Sequence, residues 1–484
     1  MNAQIRRLVV VTFAMFMVLG IAITAVQFVY APALVSDQRN ARRYLQSAER
    51  DRGPIIVAES PVAYSEKQEG DTLFQRVYPS GPLYASVTGY FAAMSQSATG
   101  IEAAENEVLE GSTSQLLWQR LRNLIAGNPR QGGGVQLTVD PEMQQVAAEM
   151  LGDRSGAVVA LDVTTGAVLT LYSSPTFDPN QLASNDQAAA EAAAVALEGD
   201  SSRPLDNRAI ASNRYAPGST FKILTSIAML ESGITPSTEL ESPQNVLLPG
   251  TETTVYNYDQ LDCGSGLVSL SEAFARSCNT TFVLASQNLP AGALQDVTKR
   301  FGFGETIKIP LTVTPSVFPE NPDPAQLALS SFGQFEVQMT PMEMAMVVAA
   351  IANGGVMMHP YLVQSVVDAD NQVVSTTAPQ VMGNPVTAAI AEEIKQMMVG
   401  AVSLPYGSAA GAAVEGIQVA AKTGTAEVGE NNELTNALTV AFAPADNPQI
   451  AVAVVVEGRA GDDPIFGASA AAPIAARLLE VGLQ

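Results

Sequence analysis

Histidine occurs once in 484 residues, cysteine twice and lysine six times, and these shortages exclude whole classes of chemistry. One histidine and two cysteines cannot furnish a zinc finger or a histidine-rich catalytic centre, so no metal site is expected. A Ser-His-Asp triad could run only through His359, which sits in Met357-Met358-His359-Pro360, a turn-like break after an apolar run. One histidine beside a proline is more often a packing or surface residue than a general base. Positive charge is also scarce. Twenty-five lysines and arginines stand against 48 acidic residues, a net charge of −23. Phosphate contacts need a basic surface, so the chain is not expected to bind nucleic acid.

Two of the six lysines fall inside short strings that carry chemistry: Ser219-Thr220-Phe221-Lys222, Ser277-Cys278-Asn279 and Lys422-Thr423-Gly424-Thr425. Pro217-Gly218 is a turn signal, and Ile223, Leu224, Ile227 and Leu230 recur at helical spacing until Ser232-Gly233. Ser219 is therefore placed at a helix N-terminus, where free N–H groups favour developing negative charge. Lys222, three residues on, presents its amine on the same face. Were this string alone, Ser219 as a helix cap and Lys222 as a solvated residue would be the simpler reading. A serine hydroxyl needs a base, and with histidine so scarce a lysine is the better candidate. Lysine serves only if its pKa is depressed, by burial and by a second cation such as Lys422 in the same cleft.

Leu8 to Tyr30 is apolar apart from Thr12, Gly20, Thr24 and Gln27, about the ~20 residues a membrane span requires. A cleaved signal peptide with Ala31-Pro32-Ala33 as its cleavage site is the competing reading, but its apolar region should be shorter. Arg6 and Arg7 favour a cytoplasmic tail of residues 1–7, whereas Arg39, Arg42 and Arg43 pull the other way. With no other span, the expectation is a plasma-membrane, single-pass anchor at 8–30 and the bulk of the chain outside.

Residues 36–133 read as a mixed, mostly extended module with short apolar pieces such as Ile55–Ala58 and Leu83–Val87. A helical stretch from Ile101 to Leu109 ends at Gly111, and Asn128–Gly134 looks like a linker. Nothing in the module stands out as an acid/base pair. A second domain, residues 134–484, opens with the helix signal Asp140-Pro141-Glu142, whose apolar face is Met143, Val146, Ala147, Met150 and Leu151. A hairpin pairs Ala157–Asp162 with Ala167–Tyr172, and an Ala-rich helix covers Asp186–Leu197. Thr340-Pro341-Met342-Glu343 has the form of a capping box. Strand candidates at Gln418–Glu427, Thr435–Ala443 and Gln449–Glu457 precede a helix from Ala470 to Leu483. Early and late strands separated by helices imply one antiparallel sheet with helices on its faces, an α+β domain.

The three strings match, in order, the S-x-x-K, S-x-N and K-T-G set of penicillin-binding proteins and serine β-lactamases. From Arg52 onward the chain resembles a class B penicillin-binding protein, a monofunctional D,D-transpeptidase. Gly100-Ile101-Glu102, Leu137-Thr138-Val139-Asp140, Ser174–Asn180, Pro204–Ala209, Thr340-Pro341 and Ala443-Pro444 carry that resemblance. It implies a penicilloyl-serine transpeptidase domain behind one transmembrane helix and a smaller, strand-rich N-terminal module, with no glycosyltransferase domain and no cofactor. It further implies Ser219 as the acylated nucleophile, Lys222 as its base, Ser277 as a proton relay and Asn279 as a donor-peptide contact that also positions Lys222. Lys422, Thr423, Gly424 and Thr425 would shape the carboxylate site of D-alanyl-D-alanine, with the N–H groups of Ser219 and Thr425 as oxyanion hole. Implied partners are peptidoglycan stem peptides on lipid-linked precursor, β-lactams and a membrane glycosyltransferase. The alternatives are a carboxypeptidase or β-lactamase hydrolysing the same ester, and a non-enzymatic scaffold. An anchor and a module of this size disfavour the β-lactamase, and three intact strings disfavour the scaffold.

Cys263 and Cys278 are the whole cysteine complement. In an exported domain an even pair points to a disulfide, with two separate buried thiols as the alternative. Both neighbours of Cys278 must face the cleft, so its own side chain should point away from it.

Overall fold

The computed structural model describes residues 2–30, 49–67, 73–116, 125, 131–211, 214–257, 263–264, 266–429 and 434–484. Arg39, Arg42, Arg43, the Ala31-Pro32-Ala33 sequence and linker residues 128–130 lie outside that set. Helix α1 (Asn2–Thr24) starts earlier than the apolar run and passes into a π-helical turn at Ala25–Val29. Among the described residues Gln4–Gln27 is the one helix long and apolar enough to cross a membrane, and none of it is buried against the protein.

The module holds β1 (Ile55–Val57), β2 (Ser60–Lys67), β3 (Phe74–Val77), α2 (Gly81–Thr88), α3 (Gly100–Ala104) and α4 (Asn106–Leu109). The extended reading of Leu83–Val87 is corrected: it is the body of α2. Pro82 in the first turn pre-sets the helix, and Tyr84, Ala85, Val87 and Thr88 are buried along it. The stretch Ile101–Leu109 is two short helices broken at Glu105 rather than one.

The module also has a charged centre, which its sequence did not betray. Glu102, fully buried, accepts from Arg52 Nε and Arg76 Nε, each at 2.6 Å, and from the Tyr78 hydroxyl at 3.1 Å. Arg52 also donates to Asn106 Oδ1 at 2.7 Å and to the Glu102 carbonyl at 2.6 Å. Burial alone would push the Glu102 carboxyl up, but the two guanidiniums outweigh it and hold it below the usual carboxylate range. The cluster ties the segment before β1 to β3, α3 and α4.

The second half of the chain contains β4 (Gly134–Leu137), α5 (Pro141–Leu151), β5 (Gly156–Asp162), β6 (Val168–Ser174) and α6 (Gln187–Glu198). A 3₁₀ turn at Gly218–Phe221 runs directly into α7 (Lys222–Glu231), followed by the hairpin β7 (Asn245–Leu247) and β8 (Thr254–Tyr256). Then come α8 (Leu270–Arg276), α9 (Asn279–Ser286), α10 (Pro341–Ala352), β9 (Val363–Val367), β10 (Val373–Thr376) and α11 (Ala388–Ser403). The chain closes with β11 (Ala420–Val428), β12 (Leu434–Ala443), β13 (Ile450–Val456) and α12 (Ala472–Gly482).

The five-stranded antiparallel sheet runs β11-β12-β13-β5-β6, so the last strands pair with the first as the sequence pattern implies. Alternation sorts its side chains: Val452 and Val454 lie with Met143, Ala147, Ile474 and Leu478 of α5 and α12. Ala451, Ala453 and Val455 lie on the other side with Met342 and Ala345 of α10 and Ile394 of α11.

A second sheet crosses the boundary drawn between residues 133 and 134. Its order is β10-β9-β4-β1-β2-β3, with β4 parallel to β1 and antiparallel to β9. Gln131–Gly134 is therefore not a linker. A Cβ on Gly132 would lie 1.8 Å from the Leu109 carbonyl oxygen, and one on Gly53 1.9 Å from that of Gly133. The glycines that imitate a flexible tether instead permit backbone-on-backbone packing.

Helix α10 corrects the capping box by half. Thr340 caps it, accepting from Glu343 N at 3.2 Å, but the Glu343 carboxylate does not return to the Thr340 backbone. It accepts instead from Ser316 N at 3.2 Å and from the hydroxyls of Ser316 and Thr340, all buried. Burial pushes the Glu343 carboxyl up to about 7 against these hydrogen bonds.

Two predictions follow from these buried carboxyls. Replacing Glu102 with Gln leaves Arg52 and Arg76 buried without a counter-charge and should cost ~3–5 kcal/mol, read from denaturant unfolding. The folded pKa of Glu343 lies above its unfolded value, so its stabilising contribution is full below that unfolded value. It is lost as pH rises towards about 7. Glu343→Gln should remove a slope of at most about 1.4 kcal/mol per pH unit across that window, measured as thermal midpoint against pH.

Candidate active site

The turn Gly218–Phe221 lies against β11, the edge strand of the five-stranded sheet. Two glycines make the approach possible. Gly218, at φ +52°, would put a Cβ 2.7 Å from the Thr425 carbonyl oxygen, and Gly424 would put one 2.7 Å from that of Pro217. Because among the described residues β11 pairs only with β12, its outer backbone groups are left to face the Ser219 turn.

Lys222 opens α7 with its side chain fully buried. Its Nζ donates to Asn279 Oδ1 at 2.7 Å and to the Ser277 carbonyl at 2.8 Å, and stands 3.4 Å from Ser277 Oγ. Lys422, equally buried on β11, donates to Ser277 Oγ at 2.8 Å and to the Thr423 carbonyl at 3.1 Å. Aromatic rings lie near both ammonium groups, Phe282 at 5.3 Å from Lys222 and Phe274 at 5.7 Å from Lys422. No carboxylate neutralises either one among these bonds. Burial, and then the Lys422 charge, hold the Lys222 amine well below the ordinary lysine range. Burial alone brings Lys422 down to about 7.

Ser277 holds the centre of this arrangement in a left-handed conformation, φ +63° and ψ +42°, as the residue that ends α8. That conformation is uncommon for a residue with a Cβ and turns both its hydroxyl and its carbonyl towards the two lysines. Asn279 begins α9, and its Nδ2 donates to the Tyr256 carbonyl at 3.1 Å. Cys278, between them, points away and is joined to Cys263 in a disulfide with Cα atoms 5.8 Å apart. Thr423 Oγ1 donates to the Ser408 carbonyl at 3.1 Å, and Thr425 Oγ1 accepts from Gly467 N at 3.4 Å.

All three strings therefore meet at one place. Ser219 is half-buried beside it, and among the described residues no hydrogen bond joins its hydroxyl to Lys222. Such bonds are often long until substrate arrives. His359 lies elsewhere, its Nδ1 2.9 Å from the Pro360 carbonyl oxygen, in a separate cleft with Lys308 and Tyr361. The sequence reading missed Phe274, Phe282 and the β7–β8 hairpin as parts of the site. Phe274 and Phe282 were legible only as helix residues, each three positions away, from Ser277 and from Asn279 respectively.

Residues 156–480 match the penicillin binding protein transpeptidase domain, and residues 52–135 match the penicillin binding protein A dimerisation domain. The whole chain is 39% identical to the peptidoglycan D,D-transpeptidase PbpA of Mycobacterium tuberculosis, covering 99% of that protein, and 38% identical to PbpA of Mycolicibacterium smegmatis at the same coverage. The structure of the penicillin G acyl-enzyme of penicillin-binding protein A from M. tuberculosis superposes with a TM-score of 0.84 at 39% identity, over 90% of this chain and all of that one. The chain belongs to the class B penicillin-binding proteins, and is a peptidoglycan D,D-transpeptidase inhibited by β-lactams.

Proposed function

We propose that Ser219 is the residue acylated, by the D-alanyl-D-alanine end of a donor stem peptide and by β-lactams alike, with Lys222 as its base. One observation carries this reading: a buried lysine whose acceptors are all uncharged stands next to a second buried lysine. The neutral amine is the form that can take a proton at neutral pH. As Ser219 Oγ bonds to the penultimate D-alanine carbonyl carbon, its proton passes to Lys222 Nζ. The oxyanion is held by the N–H groups of Ser219 and Thr425, a role supported by the close approach of the Gly218 turn to Thr425.

Collapse of that intermediate breaks the peptide bond and releases D-alanine, whose amine takes a proton through Ser277 Oγ. The bonds from Lys422 and the proximity of Lys222 to that hydroxyl support such a relay. Lys422, Thr423, Gly424 and Thr425 form the carboxylate side of the site. Asn279 contacts the donor amide and holds Lys222 in place. An amine of a neighbouring stem peptide then attacks the ester carbonyl, and as the bond to Ser219 Oγ breaks a proton lost by that amine returns to Oγ through Lys222, leaving the cross-link and the free serine.

We assign residues 1–7 to the cytoplasm, 8–30 to the membrane, 36–133 to a non-catalytic module and 134–484 to the transpeptidase domain beyond it. Arg6 and Arg7 before the span, and a disulfide after it, support this orientation in the plasma membrane. The uncovered apolar surface of α1 supports a membrane partner, for which a glycosyltransferase making the strands to be cross-linked is the fitting chemistry.

The detergent-solubilised protein, treated with penicillin and digested, should carry one adduct, on the peptide containing Ser219. Ser219→Ala should abolish it without lowering the thermal midpoint; an adduct on any other residue refutes the assignment. Lys222→Met keeps the side chain's bulk but removes the base, and should slow acylation ~10²–10⁴-fold in stopped-flow measurements. An unchanged rate would place the base elsewhere.

A further inference from the structure

Helix α9 begins without help from its own N-cap. Cys278 makes no side-chain capping bond, and its sulfur is committed to Cys263. The first N–H groups of a helix need an acceptor from somewhere. Here it comes from the end of the β7–β8 hairpin. Asn257 Oδ1 accepts from Asn279 N at 2.8 Å and from Thr280 N at 3.1 Å. Asn257 is itself 6% exposed, and its Nδ2 donates to the Pro243 carbonyl at 3.3 Å. That carbonyl also accepts from the Thr280 hydroxyl at 2.7 Å, so hairpin and helix are bound at two points.

The residue before it acts on the side chain of the same asparagine. The Tyr256 carbonyl accepts from Asn279 Nδ2 at 3.1 Å. A carbonyl can only accept, so the Asn279 amide is held one way round. Its Oδ1 is thereby turned to Lys222 Nζ, 2.7 Å away.

We propose that Asn257 is a positioning residue for acyl transfer, which caps α9 from outside and with the Tyr256 carbonyl fixes Asn279 against the Lys222 amine. It acts through Asn279 and touches neither donor nor acceptor peptide. The proposal rests on the roles given above to Lys222 and Asn279. It assigns to a hairpin outside the three strings the task that a capping side chain at position 278 would otherwise perform. A cysteine bound in a disulfide has no oxygen to offer the helix, and the fold supplies one from 22 residues upstream.

The test measures acylation of the full-length protein by a fluorescent penicillin, as a function of pH, beside its thermal midpoint. Asn257→Ala should slow acylation ~10–100-fold, the scale of a misplacement of about 1 Å. It should also move the acid limb of the pH profile down, because a loosened Asn279 no longer stabilises the Lys222 ammonium. Lys422 is the charged neighbour acting on Lys222 among the described residues, and it is unchanged in every variant. Asn257→Asp keeps the acceptor for both N–H groups. It should restore most of the rate while moving the acid limb up, since a carboxylate nearby favours the ammonium.

In an Asn279→Ala background, Asn257→Ala should cost nothing further. An equal additional loss there overturns the proposal, because it shows a merely structural role. A lowered thermal midpoint with unchanged rate and acid limb in Asn257→Ala overturns it too. Should Asn257→Ala fail to fold, Asn257→Ser decides, a slowed rate with a lowered acid limb supporting the proposal and an unchanged rate and limb refuting it. Wild-type acylation by Asn279→Ala would instead overturn the reading of Asn279, and this proposal with it.

Discussion

Two amines share one hydroxyl in a place water hardly reaches, and the rest of the site is built around that fact. Lys222 and Lys422 are both fully buried, both near Ser277 Oγ, and among the described residues neither has a carboxylate as a hydrogen-bond partner. Two ammonium ions so placed repel each other and lack the hydration that would sustain them. Burial and mutual repulsion both favour loss of a proton from these amines, the condition under which a lysine can serve as a base. The acceptors on Lys222 are neutral oxygens from Asn279 and the Ser277 backbone, which orient the amine without restoring the full stability of its charged form. An aspartate in either role would have fixed the proton on Lys222.

Holding the amines together takes three separate parts of the chain, and the five-stranded sheet is what brings them into register. Lys422 rides on its edge strand, Lys222 follows the turn pressed onto that strand through Gly218 and Gly424, and Ser277 ends a helix docked nearby. The left-handed backbone of Ser277 is the strained element, and it is pinned by bonds at its carbonyl and its hydroxyl. Strain of this kind persists only where its surroundings over-determine it.

What the sequence disclosed and what it hid divide along one line, the distance along the chain between interacting groups. The valine-rich runs of β13 and β5, the Asp140-Pro141 start of α5 and the Pro217-Gly218 turn before Ser219 are local signals, and each predicted its element. The three strings were legible because each packs its chemistry into three or four residues. Glu102 meets Arg52 and Arg76 at separations of 50 and 26 residues, with nothing in any of the three neighbourhoods to announce it. Glu343 shows the same limit in miniature. The capping pattern located the helix start, but Ser316, 27 residues earlier, had taken the carboxylate. The Gly132-Gly133 pair misled for a different reason: a glycine that permits flexibility and a glycine that permits contact look alike in a sequence.

The sheet that spans both halves of the molecule has a consequence for the order in which the chain can fold. Strand β4 is central, flanked on one side by β1 and on the other by β9, whose residues come some 230 positions later. A polypeptide made N-terminus first presents β1 to β4 long before Val363–Val367 exists. For that interval β4 is an open edge, the kind of surface that pairs with whatever strand it meets. The N-terminal module is thus completed late, by a segment from deep within the second half of the chain. A chain cut short before residue 363 would carry every residue of the N-terminal module and still leave its sheet unfinished.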